Sequence, residues 1–443
     1  MGVVLYLVVT VGCGWFRPDA PDVFILSVDT LRVDHVSAYS ASSPASTPNI
    51  DALAADGIRF TEAFSPVSVT GPAFASVMTG LDPEGHGVFT NLFRGGIPLS
   101  DQHVTLAQSF AEAGYRTGAF VSAFTLRRAL GLDRGFSVYN GGENRNRDGA
   151  ETAASMGAWL SVQDGPIFGW FHTFDPHGPL ARLAEPSELT QRWEEDTAHL
   201  RHFPSYQRIG AITQHDLFES LYARGVERAD ASVGMVVDAL KALGRYDDAL
   251  IVVLADHGEG FRERSLWFDH GTSAHVEQTH VPLVIKLPRN RKAGTTDARL
   301  VSLVDVAPTV LEIASLRSGA SDGFALTGTD PVRTLVASES SHCKDVEVLD
   351  CVPIGGQGKE LSIRSLDLTV VSQSTSEGEQ VHAYDREKNP AEIRPTLQPI
   401  PTEMKSAMDA LRMDRRARDY GPMPDARAVD ATSSNLRALG YME

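Results

Sequence analysis

From Asp22 to about Ser315 the chain alternates short continuous apolar runs with segments of helical spacing. Val23-Phe-Ile-Leu-Ser-Val28 and Leu250-Ile-Val-Val-Leu-Ala255 are the strongest runs. Unbroken apolarity over so short a length is the pattern of a strand buried on both faces of a parallel sheet. Weaker runs at 117–121 and 167–171 predict two further strands. Between them lie helices. Thr47-Pro48 opens one, with Thr47 as N-cap, Pro48 in the first turn, Ile50, Leu53 and Ala54 inward and Gly57 at its end. Leu106 and Phe110 mark the buried face of another, stopped by Gly114. A long helix is predicted over about 217–243, with Leu221, Ala229, Val233, Val236 and Leu240 near helical spacing and Gly244 as terminator. After about Asp322 the pattern changes to short strands at 334–337, 362–365, 368–372 and 381–384, then to a helical and irregular tail. The expected fold class is therefore α/β: a large, mostly parallel sheet flanked by helices, with a smaller C-terminal antiparallel subdomain.

Composition narrows the class of partner. The chain has 443 residues, 42% hydrophobic and 22% charged, which is globular and large enough for a core without staples. Lys and Arg total 40 against 57 Asp and Glu, a net charge of −17. That balance excludes a nucleic-acid partner, whose phosphates need clustered cations. It leaves a small anionic substrate open, because a site is local. Three cysteines make no disulfide framework. Residues 1–16 carry no charge and are too short, at about 1.5 Å per residue, to span a roughly 30 Å hydrocarbon core. They look like an export signal. Thr10-Val11-Gly12-Cys13 resembles a bacterial lipoprotein box, so residues 1–13 are read as signal and Cys13 as a lipid anchor. The expected location is the bacterial cell envelope, periplasmic or outer-surface. A buried first strand with a chance cysteine is the alternative. Cys343 and Cys351 bracket the loop KDVEVLD and could pair in an exported protein. The expected domains are then 20–320, catalytic, and 321–443, the smaller subdomain with its tail.

Two apolar strands end in acidic residues. Val28 runs into Asp29, and Ala255 into Asp256-His257-Gly258-Glu259. Ligands of open α/β sheets bind beyond the carboxyl ends of the strands, so Asp29, Asp256 and His257 would share one rim. Two carboxylates and an imidazole form a competent divalent-metal site. A single strand-terminal Asp could equally be a helix N-cap. In Thr70-Gly71-Pro72, Pro72 suits a first helical turn, which places the Thr70 hydroxyl at a helix N-terminus that favours anions. A coordinated cation can turn such a hydroxyl into a nucleophile. Thr70 could also be only an N-cap.

At this point a family resemblance emerges. The chain resembles the sulfatase family within the alkaline phosphatase superfamily. Asp29-Thr30-Leu31-Arg32-Val33-Asp34-His35 is similar to its first metal motif, and Thr47-Pro48-Asn49-Ile50-Asp51 to the helix that follows. The family signature runs from a Cys or Ser nucleophile through x-Pro-Ser-Arg to Thr-Gly nine and ten positions on. That register places Thr70 on the nucleophile and Thr79-Gly80 on the closing pair. Further matches are Pro83-Glu-Gly-His-Gly87, Gly114-Tyr-Arg-Thr117, Phe171-His-Thr-Phe-Asp-Pro-His-Gly-Pro179, His280-Val-Pro-Leu-Val-Ile285, Asp305-Val-Ala-Pro-Thr309 and Leu436-Arg-Ala-Leu-Gly-Tyr441. The resemblance implies metal ligation by Asp29, Thr70, Asp256 and His257. It also implies substrate contacts from Asn91, His177 and His270, with His177 or His270 protonating the leaving group. One divalent cation is expected (Mn, Zn, Mg or Ca), and a second, on His172 and Asp175, is not.

The departures from the pattern redirect the chemistry. Thr70 cannot mature to the formylglycine of sulfatases, Ala73 and Phe74 stand where the family has Ser and Arg, and Val121-Ser122-Ala123-Phe124 replaces a Gly-Lys-x-His segment. Threonine nucleophiles occur among relatives that act on phosphorus. The expected function is a metal-dependent hydrolase or transferase of phosphate mono- or diesters, or related anionic esters, through a metal-bound Thr70. The substrate would be a small anionic ester, such as a lipid head group or a glycan-linked group. The alternatives are a sulfuric ester hydrolase and a surface-anchored binding protein that has lost catalysis.

Overall fold

The computed structural model describes residues 20–92, 97–143, 145–190, 199–264, 267–328, 333–341, 359–375, 378–396 and 399–417. Cys13, Cys343, Cys351 and the 436–441 segment lie outside them. The chain enters through β1 (Val23–Val28), α1 (Pro48–Ala55), β2 (Ile58–Phe64), α2 (Thr70–Thr79) and α3 (Pro83–His86). It continues through α4 (Leu106–Glu112), β3 (Arg116–Val121), β4 (Val138–Asn140), α5 (Gly149–Leu160), β5 (Ile167–Thr173) and α6 (Pro186–Thr190). Next come α7 (His215–Ala242), β6 (Leu250–Ala255), α8 (Val276–Thr279), β7 (Leu283–Lys286), β8 (Thr295–Ser302) and α9 (Val306–Ile313). Four strands follow, β9 (Val336–Glu339), β10 (Glu360–Arg364), β11 (Leu368–Thr375) and β12 (Gly378–Asp385), and then α10 (Thr402–Ala417).

Eight strands form one sheet in the order β4-β3-β5-β1-β6-β7-β2-β8. The five from β4 to β6 are parallel, β7 runs antiparallel to both neighbours, and β8 is parallel to β2. The two strongest apolar runs, β1 and β6, are adjacent in the middle and wholly buried. Helices cover both faces. Phe168 of β5 stacks on Phe110 of α4 at 4.4 Å. The next residue, Gly169, sits where a Cβ would come within 2.8 Å of Met156 on α5. Successive strand residues point to opposite faces, so α4 and α5 lie on opposite sides of the sheet.

The second sheet, β12-β11-β10-β9, is antiparallel and has its own apolar cluster, in which Met404 and Met408 of α10 cover Leu361, Ile363 and Val370. It joins the first where Ser68 N–H donates to Glu339 O at 3.1 Å. Among the described residues no helix is long and apolar enough to cross a membrane.

Several local expectations are adjusted. Thr47 occupies the N-cap position of α1, but its hydroxyl donates to Asp51 Oδ1 at 3.0 Å, accepts from Ser37 N–H at 2.9 Å and caps no N–H of the helix. Gly57 is not a left-handed terminator. It is required because a Cβ there would meet Ile285 O at 2.8 Å. Thr70 is the first residue of α2 rather than its cap, a position held by Val69. The first strand of the small sheet begins at Val336, two residues beyond its predicted start. β2, β7 and β8 carry mixed or short apolar patterns and gain their identity from pairing with one another.

Candidate active site and metal centre

Register builds the centre. Val28 of β1 pairs with Ala255 of β6, so the next residues, Asp29 and Asp256, leave the sheet side by side. Both are fully buried, as is His257. One ligating atom from each of Asp29, Asp256 and His257 lies within 4.8 Å of the others. Asp29 Oδ1 and Asp256 Oδ2 are buried with no hydrogen-bond partner. His257 Nδ1 is 2.9 Å from Gly258 O, which can only accept, so Nδ1 holds the proton and Nε2 is the nitrogen that could face a cation. Nε2 lies 3.4 Å from Asp256 Oδ2.

Burial perturbs the charged groups of the cluster strongly. Burial pushes Asp29 up to about 7, against the pull of His257 and a hydrogen bond from Thr70. Burial, then the neighbouring Asp29, pushes Asp256 up to about 6. His257 is raised: burial opposes its charged form, but Asp256 and Asp29 outweigh it. Oxygen and imidazole donors aimed into a buried, under-compensated pocket fit a divalent metal ion. A second acidic group, His215, Asp216 and Glu219, is more exposed and lies at the start of α7.

Thr70 opens α2 beside this cluster, with its Oγ1 3.4 Å from His257 Nε2. Its neighbour Gly71 donates its N–H to Asn91 Oδ1 at 2.9 Å, and a Cβ on Gly71 would press to 2.7 Å from that oxygen. Asn91 thus satisfies one of the orphan N–H groups at the helix start and is tied to the turn that presents Thr70.

His177 and His270 complete an imidazole row. His270 lies 4.5 Å from His257 and 4.8 Å from His177, centre to centre. His177 stacks on Phe174 at 4.0 Å and donates from Nδ1 to Gly178 O at 2.7 Å. Burial, then His270, holds His177 well below its ordinary value, so it is neutral at pH 7. The structure therefore brings Asp29, Thr70, Asp256, His257, His177 and His270 together, with Asn91 one turn away.

His172 Nε2 is 3.2 Å from Asp29 Oδ2, while Asp175 Oδ2 accepts from Thr173 Oγ1 at 2.7 Å and Gly149 N at 3.0 Å. Phe74 is buried against Trp170 and the edge of His172. Two contributors escaped the sequence reading. Glu259 Oε1 lies 3.3 Å from His270 Nδ1, and burial pushes this carboxyl up to about 8. Its place in the Asp-His-Gly-Glu run was the available signal. Tyr222 of α7 donates to Thr30 O at 2.6 Å and accepts from Arg32 N at 2.9 Å. Thr30 sits at φ 55°, a strained conformation for a β-branched residue, and sends its N–H to Asp256 Oδ1 at 3.2 Å. Nothing in the helical pattern distinguishes Tyr222 from an ordinary core residue.

A doubly covered α/β sheet thus carries a buried cluster of Asp29, Asp256 and His257 at its strand ends, beside the Thr70 hydroxyl. The sulfatase family profile matches residues 21–316, and the chain belongs to the sulfatase family. It is 26% identical to human arylsulfatase A over 383 residues, covering 75% of this chain and 72% of that protein. It is 22% identical to an ulvan-active sulfatase of Formosa agariphila over 380 residues, 79% of this chain and 72% of the relative. Among solved structures, the phosphonate monoester hydrolase of Agrobacterium radiobacter superposes with a TM-score of 0.67 at 22% identity, covering 94% and 96% of the two chains. A 2-O GAG sulfatase gives a TM-score of 0.72 at 18% identity over 93% and 96%. At these identities the structural likeness is one of fold. The protein is an ester hydrolase of this family, and its helix-flanked large sheet with a separate antiparallel sheet is the expected architecture.

Proposed function

We propose that this protein hydrolyses or transfers phosphoric esters, diesters or phosphonates included, through a covalent intermediate on Thr70. The observation that carries the proposal is the Thr70 hydroxyl, 3.4 Å from His257 Nε2 at the edge of a buried acidic cluster. Asp29, Asp256, His257 and Thr70 would hold one divalent cation, which supplies Lewis-acid charge that lowers the hydroxyl's pKa and offsets the anionic ester. Thr70 Oγ1, its proton released to solvent and the resulting alkoxide one that the cation would stabilise, attacks phosphorus in line: a bond from Oγ1 to phosphorus forms as the bond to the leaving alcohol breaks. His270, oriented by Glu259, donates a proton to the departing oxygen. His177, held neutral, accepts the proton of the incoming water or acceptor alcohol in the second displacement, which frees Thr70. The N-terminus of α2 and Asn91 steady the anion.

A sulfuric ester substrate is the second reading, supported by curated relatives named arylsulfatase A and ulvan-active sulfatase. The Thr at the nucleophile position and Phe74 in place of an arginine favour phosphorus. An export signal ending at Cys13 would place the enzyme on the cell envelope, where lipid head groups and glycan-linked esters are available, with residues 20–320 catalytic and 321–443 accessory. The deciding experiment strips the protein of metal and reloads it with Mn, Zn, Mg or Ca. Each form is offered an aryl sulfate, a phosphate monoester, a phosphodiester and a phosphonate. Turnover on phosphorus, lost in Thr70→Ala, is expected. A preference for the sulfate would overturn the proposal, and phosphodiester cleavage unchanged in Thr70→Ala would remove the nucleophile.

A further inference from the structure

The loop that carries His270 is gripped from both sides. On the inner side it pairs with the segment after β6: Gly260 N–H donates to Asp269 O at 2.9 Å, and Asp269 N–H returns to Gly260 O at 3.2 Å. Asp269 is the residue immediately before His270. On the outer side the partner is the small sheet. Arg364 of β10, fully buried, donates from Nη2 to Ala274 O at 2.6 Å. Glu360 at the start of the same strand accepts from Ala274 N at 3.1 Å. Glu392, beyond β12, accepts from Val276 N at 3.0 Å and from His275 Nδ1 at 3.0 Å. Arg364 also lies 3.4 Å from both carboxylate oxygens of Glu392. Arg264 returns the contact, donating to Glu392 O at 3.0 Å while its Nε pairs with Glu277 at 3.1 Å.

Three consecutive residues, Ala274, His275 and Val276, are thus held by charged groups of the C-terminal part, through both peptide groups and a side chain. Only residues 270–273 separate this anchor from Asp269, and Gly271 at φ 84° makes the turn between them. Buried charges are expensive to assemble and hold geometry once hydrogen-bonded. An apolar contact would join the two sheets as well without fixing the height of a loop.

We propose that Arg364, Glu360 and Glu392 are positioning residues, and that the small sheet pins residues 274–276 so that His270 is held against Glu259 and His257. This rests on the role given to His270 under the proposed function. It assigns the C-terminal sheet a part in catalysis that involves no contact with substrate.

The test uses the full chain loaded with metal, with Glu392→Ala, Glu392→Gln, His270→Ala and the double variant Glu392→Ala/His270→Ala. Hydrogen exchange over 268–278, metal affinity, kcat and KM are measured. Glu392→Ala should exchange faster in that segment and lose kcat about 10- to 100-fold, as expected when a proton donor is misplaced by roughly 1 Å. KM and metal affinity should hold, and Glu392→Gln, which keeps the acceptor oxygen, should recover part of the loss. The double variant should be no slower than His270→Ala alone, since the pin acts through that histidine. Unchanged exchange, or losses that multiply in the double variant, would overturn the pin. Full activity in His270→Ala would overturn both the pin and the histidine's role, and exchange, which needs no substrate, would show separately whether the segment is held.

Discussion

At the position where the family carries an arginine, Phe74 lies fully buried, its ring 5.0 Å from Trp170 and 5.2 Å from His172. No cation from this position reaches the site, so in the proposed function anion recognition would fall to a metal held by the acidic cluster, the start of α2 and the imidazoles. In the proposed mechanism Thr70 would carry the covalent chemistry. Replacing it with serine keeps a hydroxyl at the first position of the helix, and turnover should survive. Thr70→Ala should lower kcat by about 10³-fold or more, as removal of a nucleophile does, with the fold intact. Pre-steady-state kinetics on the best ester would check this. A burst of leaving group in the serine form and none in the alanine form is expected, and a burst in both would eliminate Thr70.

Elements position these residues through their ends. β1 and β6 deliver Asp29 and Asp256 because they are neighbours in register, and α2 delivers Thr70 because it begins there. The least obvious contribution comes from α7, whose Tyr222 clamps the strained Thr30 turn from both sides. That turn aims a backbone N–H at Asp256 and so would orient a proposed metal ligand rather than act as one. Outer partners of metal ligands commonly set affinity by about 10- to 100-fold. Tyr222→Phe should therefore weaken metal binding by about that factor while costing the ring's packing nothing. Calorimetric titration of the metal-free variant gives the number, and an affinity equal to the parent's would show that the turn holds without the clamp.

Across the whole molecule, the buried centre couples stability to metal and pH. Asp29 and Asp256 rise from 3.8 to about 7 and about 6 through burial. Between about pH 4 and 7 the folded, metal-free protein therefore holds protons that the unfolded chain has released. By linkage, their contribution to metal-free stability falls as pH rises through that window. A cation bound by Asp29 and Asp256 would keep both carboxylates ionised and reverse the trend. The gain in Tm on loading metal should widen from pH 5 to pH 8. Scanning calorimetry with and without chelator measures it, and a gap independent of pH would mean that the cation binds elsewhere.

Much of this was legible along the chain. Continuous apolar runs marked β1, β3, β5 and β6, because strands buried on both faces need no polar alternation. Acidic residues closing two such runs marked Asp29 and Asp256, and the turn at Pro72 marked Thr70. Other features had no local signature. β2 and β8 alternate too weakly to declare themselves and exist by pairing with each other. Tyr222 looks like any helix core residue, and Arg364 and Glu392 look like surface charges until the small sheet folds over Ala274. Local sequence thus determined which residues could do chemistry and which segments must be buried. Tertiary structure alone decided which carboxylates stand within reach of one another, which histidine meets Glu259, and what holds it there, because those facts depend on strand order, on how the 260–269 loop folds back and on contacts between residues some 90 to 230 positions apart.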